Sequence, residues 1–195
     1  MECWHENIYQ AMIDAANKRP LLSTYQGKLL KSMIDSVEYE TCLDIGCGTG
    51  QVSQLIKGIY HGADLFNIIA NVAEKSGFKQ IYLGINVEKY DMIFVNSYDL
   101  VIMSAFVDVM EKPLEKLESI LKYCSKYVII HRQEISQEKP TQSIKNPSYG
   151  GWTWHSIINR KDFDKAIKGF EILKLTTCKY ENWEDGGTSV LLKRK

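Results

Sequence analysis

The 195-residue chain has no excess of charge: 24 basic and 24 acidic side chains give a formal net charge of zero. Without a net positive field, broad electrostatic binding of nucleic acid is not expected. It has no CxxC pair, and its five cysteines (Cys3, Cys42, Cys47, Cys124 and Cys178) are odd in number. Neither a disulfide framework nor a zinc site is indicated, and free, mostly buried thiols in a reducing compartment are expected. No apolar run approaches the roughly 20 residues that cross a bilayer. The opening Met-Glu-Cys-Trp-His-Glu lacks the basic-then-apolar layout of a secretory signal. A cytoplasmic protein is expected, with no membrane partner. Repeats and low-complexity tracts are absent as well. What remains is an ordinary globular composition, 45% hydrophobic and 25% charged, long enough for one domain with a sizeable core.

Periodicity divides the chain. Leu29, Leu30, Met33, Ile34 and Val37 recur at helical spacing, and Pro20 separates this helix from an earlier one near 8–18. From residue 41 onward strands and helices alternate. Strands are expected at 41–45, 59–64, 80–85, 99–103 and 127–131. Helices are expected at 51–57 and 66–75, and another behind Pro113 with Leu114, Leu117, Ile120 and Leu121 on one face. Residues 133–154 show no clear period and read as a long loop. Asn159 caps a further helix through Ala166. Two strands near 170–177 and 188–192 close the chain, with Gly186 and Gly187 as the turn between them. Such alternation implies an α/β fold: a mostly parallel sheet with helices on both faces and an antiparallel strand at its end.

The densest signal is Leu43-Asp44-Ile45-Gly46-Cys47-Gly48-Thr49-Gly50. A strand runs into a tight turn whose glycines tolerate positive φ and let a ligand approach the backbone. A dinucleotide fingerprint would place glycine at 46, 48 and 51, but position 51 is Gln. Asp44 just before the turn repels phosphate and welcomes a cationic ligand or hydroxyl and amine donors. Both features disfavour a nicotinamide-dependent reductase. Cys47 has no His or Asp fixed beside it to activate it as a nucleophile.

The other strand ends follow in order. The second carries Asp64, eighteen residues after Gly46, placed to accept from ribose hydroxyls, with Leu65 next. The third leads to Asn86 and Val87, an amide and an apolar side chain that suit an adenine. The fourth ends in Ser104-Ala105-Phe106, a pocket wall. Taken together, residues 40–131 resemble class I S-adenosylmethionine-dependent methyltransferases. The resemblance implies a Rossmann-like, three-layer αβα sandwich around a seven-stranded, mostly parallel sheet with the last strand antiparallel, here behind an N-terminal helical extension. It implies S-adenosylmethionine as cofactor and S-adenosylhomocysteine as product. By position, Asp44, Gly46, Cys47, Gly48, Gly50, Asp64, Leu65, Asn86, Val87, Ser104 and Phe106 become the cofactor-binding set. A shorter stretch, Val128-Ile129-Ile130-His131-Arg132 with Pro147-Ser148-Tyr149 and Ile158 to Phe163, resembles methyltransferases associated with bacterial surface-carbohydrate genes, which hints at a sugar acceptor.

Catalytic candidates lie behind strands four and five: Asp108, His131 and His155. A base is one reading of each. The other is a solvated helix residue for Asp108 and a hydrogen-bonded strand-end histidine for His131. Tyr149, Trp152 and Trp154 offer aromatic faces to an acceptor or anchor the loop to the core. Asn146-Pro147-Ser148-Tyr149 resembles the Asn-Pro-Pro-Tyr box of amine methyltransferases, but that box follows strand four and this one follows strand five. No metal-ligand cluster is seen.

The organisation expected is one domain over 1–195: a helical extension at 1–39, a cofactor core at 40–131, a substrate-side loop at 132–156, and a C-terminal helix and strand pair at 157–195. The function expected is methyl transfer to oxygen or nitrogen of a small molecule, with self-association into a homodimer left open. The alternative is a catalytically silent domain of the same fold that acts by binding.

Overall fold

The computed structural model describes residues 6–76, 81–85, 97–148, 151–180 and 183–195. Two helices lead, α1 (Glu6–Lys18) and α2 (Tyr25–Ile34). Thr24 caps α2 by accepting from the Gly27 amide at 3.0 Å. The strands are β1 (Thr41–Ile45), β2 (Ile59–Leu65), β3 (Ile81–Ile85), β4 (Tyr98–Ser104), β5 (Cys124–Ser136), β6 (Gln142–Ser148), β7 (Gly151–Asn159), β8 (Phe170–Tyr180) and β9 (Trp183–Arg194). Between them lie α3 (Phe66–Ile68), α4 (Pro113–Leu121) and α5 (Arg160–Ala166).

The main sheet runs β3-β2-β1-β4-β5-β9-β8. Its first five strands are parallel, and β9 lies antiparallel to both β5 and β8. Strand order reverses between β1 and β4, so a crevice opens at their carboxyl ends. Alternation along the strands builds two cores. Leu43, Ile45, Val101, Met103, Val128 and Ile130 face α4 and α5, while Cys42, Leu100, Ile102, Ile129 and Leu191 face Leu30, Met33 and Ile34 of α2.

Four expectations change. Residues 133–154 are not a loop: β5 runs on to Ser136, and β6 and β7 form an antiparallel hairpin from Gln142↔Ile157 to Ser148↔Gly151. The hairpin adds two strands to the expected seven. Polar β6 lacks an apolar alternation because it is an edge, where Pro147 is tolerated. Gly186 and Gly187 lie within β9, which pairs with β8 as far as Tyr180↔Trp183. The helix expected at 51–57 is a 3₁₀ segment, Gln51–Leu55. That at 66–75 changes winding, from α3 through a π-helical stretch at Ile69–Ala73 to a 3₁₀ turn at Glu74–Ser76.

Candidate active site

The glycine turn sits at the switch point. Gly46, Gly48 and Gly50 have φ of 75°, 52° and 77°, in the left-handed region that side chains resist. At Gly46 the need is double, since a Cβ there would stand 2.4 Å from Phe106 Cδ2. The Gly46 and Cys47 amides donate to the Ala63 carbonyl at 2.8 and 3.2 Å, tying the turn to β2. The Gly48 amide donates to Asp64 Oδ2 at 2.8 Å, and the Leu65 amide to Asp64 Oδ1 at 2.8 Å. Burial pushes the Asp64 carboxyl up to about 6, against the pull of these two amides. Met12 of α1 lies over the turn, 3.5 Å from where a Gly48 Cβ would be.

Asp44 is buried beside the turn. Tyr60 Oη donates to its Oδ2 at 2.7 Å, while Oδ1 is buried with no hydrogen-bond partner. Burial raises its carboxyl to about 7; the Tyr60 bond opposes this and the nearby Asp64 charge adds to it. Cys47 is buried with Ile69 and Ala73, and burial holds its thiol far above the ordinary range, which is no setting for a nucleophile. Asn86 and Val87 lie outside the described residues.

Just past β4 and within β5 the backbone is strained. Ala105 (φ 51°) and Arg132 (φ 67°) are the non-glycine residues with left-handed backbones among those described. The Ala105 amide donates to the His131 carbonyl at 2.9 Å, and half-buried Ser104 pairs with His131 across the strands. Asp108 follows on a short turn, Val107–Val109, that is held to the hairpin because Ser156 Oγ donates to the Val107 carbonyl at 2.8 Å. Asp108 is buried with Oδ1 lacking a hydrogen-bond partner, and burial lifts its carboxyl to about 6 while Arg132 and His155 draw it back.

His131 is in a different setting. It is buried, with Nδ1 2.8 Å from Ser189 Oγ on β9. Burial, aided by Arg132, holds its pKa down to about 3, so the ring is neutral. The structure thus groups Asp108 with His155 and gives His131 a partner inside the sheet.

The hairpin supplies the remaining candidates. His155 Nε2 lies 2.7 Å from Glu134 Oε2, and Lys139 Nζ lies 3.4 Å from Glu134 Oε1. Glu134 is buried. Trp152 and Trp154 stand edge to face at 5.5 Å, with the Lys145 ammonium 4.2 Å from the Trp152 ring centre. Tyr149 lies outside the described residues. The Glu134–His155 pair escapes sequence reasoning because only the hairpin joins residues 21 apart. The period-two spacing of Trp152 and Trp154 is the one signal that marks β7.

Residues 43–128 match the family profile described as "Methyltransferase domain". That stretch is similar to a methyltransferase domain. Among curated protein sequences none matches the chain. Solved structures do. An S-adenosylmethionine-dependent methyltransferase from Clostridium acetobutylicum is 12% identical, with 96% of this chain and 99% of that one covered at a TM-score of 0.65. One from Mesorhizobium loti is 15% identical, covering 89% and 100% at a TM-score of 0.65. The amino pentose methyltransferase CalS10 from Micromonospora echinaspora, with S-adenosylmethionine bound, is 12% identical, covering 100% of both chains at a TM-score of 0.64. At these identities the likeness is one of fold: the chain shares the Rossmann-like architecture of these methyltransferases.

The residues around the glycine turn suit S-adenosylmethionine as a ligand. A backbone without Cβ atoms lets a ligand close on the turn, and the unpartnered Asp44 oxygen suits a donor's ammonium. Half-buried Asp64 has both oxygens oriented by backbone amides. Among the described residues no helix is long and apolar enough to cross a membrane, and no group of three His, Cys, Asp or Glu is placed to hold a metal ion.

Proposed function

We propose that the chain transfers the methyl group of S-adenosylmethionine to an oxygen or nitrogen of a small-molecule acceptor. The observation that carries this reading is the left-handed glycine turn at the switch point, fastened to Asp64 through the Gly48 amide and backed by the buried Asp44. Asp44 takes the donor's ammonium, Asp64 the ribose hydroxyls, and Gly46, Gly48 and Gly50 the close backbone approach. Phe106 and Ser104 wall the reacting end, and Asn86 and Val87 are assigned to the adenine by position. The bound donor supplies an activated methyl group, so the protein's work is alignment and the acceptance of a proton. Asp108 and His155 are assigned to that proton, which their electrostatic interaction behind β4 supports. Trp152 and Trp154 offer faces to a sugar or another flat acceptor. The names of neighbours such as an amino pentose methyltransferase and the N-methyltransferase NodS from Bradyrhizobium japonicum are in keeping with a small acceptor.

Thermal unfolding with S-adenosylmethionine, S-adenosylhomocysteine or NAD tests the reading. A ligand at about 100 times its dissociation constant stabilises by about 2.7 kcal/mol. A shift with both adenosyl compounds and none with NAD is expected; a shift with NAD alone overturns it.

A further inference from the structure

The register of β5 against β9 breaks between Ile130 and Gln133, at the left-handed Arg132. Beyond the break β5 exchanges partners. Gln133 still pairs with Thr188 of β9, while Glu134 pairs with Ile157 of β7. Gln133 Nε2 secures the handover by donating to the carbonyls of Glu134 and Ser156 at 3.0 and 2.9 Å. The break therefore brings a buried carboxylate to the hairpin, within 2.7 Å of His155 Nε2. A carboxylate only accepts, so Nε2 carries the hydrogen and the neutral ring keeps its lone pair on Nδ1. A histidine oriented by a buried carboxylate is the arrangement by which a base is held in one tautomer and its protonated form stabilised.

We propose that Glu134 is a positioning residue that holds His155, through Nε2, as the general base for the methyl acceptor. The inference rests on the methyltransferase reading above. As the acceptor's heteroatom bonds to the methyl carbon, the carbon–sulfur bond breaks with its electron pair going to sulfur. The acceptor's proton passes to His155 Nδ1, and the imidazolium, paired with Glu134, releases it to solvent. Glu134 from β5 touches the ring, Asp108 from the turn after β4 interacts electrostatically with both His155 and Arg132, and Lys139 beyond β5 lies on Glu134. Lys139 also reaches Glu134, so the carboxylate is held from two sides.

The test uses the full chain and Glu134→Gln, Glu134→Ala and His155→Gln variants. Nitrogen-15 spectra of labelled histidine, with His155 identified by its loss in His155→Gln, should show a single Nε2–H tautomer in the wild type and a mixture in Glu134→Ala. Methyl transfer from labelled S-adenosylmethionine to a panel of amines, phenols and sugars should fall about 100-fold in kcat in Glu134→Ala, with KM unchanged and a displaced acid limb of the pH profile, and Glu134→Gln should recover part of it. S-adenosylhomocysteine affinity by calorimetry should be equal in all variants. The same His155 tautomer in Glu134→Ala and wild type overturns the proposal. Failure of the wild type to bind S-adenosylhomocysteine instead overturns the function on which it rests.

Discussion

The Gly48 amide donates to Asp64 Oδ2 across 2.8 Å, which couples the glycine turn to the carboxylate at the end of the neighbouring strand. One carboxylate therefore shapes the turn and presents itself to a ligand. With its other oxygen on the Leu65 amide, Asp64 keeps one orientation before any ligand arrives. That preorganisation makes it more than a charge. Hydrogen bonds to a charged group contribute about 1.5–3 kcal/mol. Asp64→Ala is accordingly expected to weaken S-adenosylhomocysteine binding by about 10- to 100-fold in calorimetry, and Asp64→Asn by less. Unchanged affinity in Asp64→Ala would show that the ribose lies elsewhere.

Gly46 and Phe106 bind β1 and β4 together at the point where the sheet opens. A methyl group at Gly46 meets the ring at 2.4 Å on a backbone at φ 75°, so it is opposed both by contact and by conformation. A non-glycine residue in such a region costs about 1–3 kcal/mol before the clash is counted. Gly46→Ala should lower the unfolding free energy from urea titration by at least that amount, and the midpoint with it. In a Phe106→Ala background, which removes the ring, the same change should cost only the conformational part. Equal midpoints for Gly46→Ala and wild type would mean the turn is not built as described.

Asp44 ties stability to pH. Its carboxyl lies near 7 in the folded protein against 3.8 in the unfolded chain. Between these values the folded state holds a proton that the unfolded state has released. Stability from this group is thus full below about 4 and is lost as pH rises towards 7. The displacement corresponds to at most about 4 kcal/mol. Asp44→Asn, which keeps an acceptor for Tyr60, should lose this dependence. The stability of wild type relative to the variant should rise as pH falls from 7 to 4, read from unfolding at a series of pH values. A parallel pair of curves would count against a buried, strained carboxylate.

How far such features can be read without coordinates depends on range. The strand, turn and acid of 41–65 are local, and their spacing alone places Asp64 at the turn. The Asn159 cap is local too, its side chain accepting from the Lys161 amide at 3.0 Å. The hairpin is not. Its edge strand β6 has no apolar face, and the register that sets Lys145 beside Trp154 is fixed only by chain pairing. The same holds for Glu134, whose meaning depends on where β5 leaves β9. His131 is a third case: at a strand end it reads either as a base or as a hydrogen-bonded histidine, and only the approach of Ser189 from β9 shows what surrounds it.

That setting makes a prediction opposite in sign to the one for Asp44. The folded-state pKa of His131 is near 3, below its ordinary 6.5, because burial excludes the charged ring. Between those values the unfolded chain takes up a proton that the folded protein refuses. Stability from this group is full above about 6.5 and is lost as pH falls towards 3. His131→Gln should abolish that loss, so the wild type should weaken relative to the variant on acidification, over a window that overlaps the one where Asp44 strengthens it. Kinetics separate structure from chemistry at the same residue. A ring held neutral against Ser189 leaves the transfer rate within a few-fold when replaced, whereas loss of a general base costs about 100-fold or more. A large fall in kcat for His131→Gln, with S-adenosylhomocysteine affinity intact, would return His131 to the catalytic set and displace His155 from it.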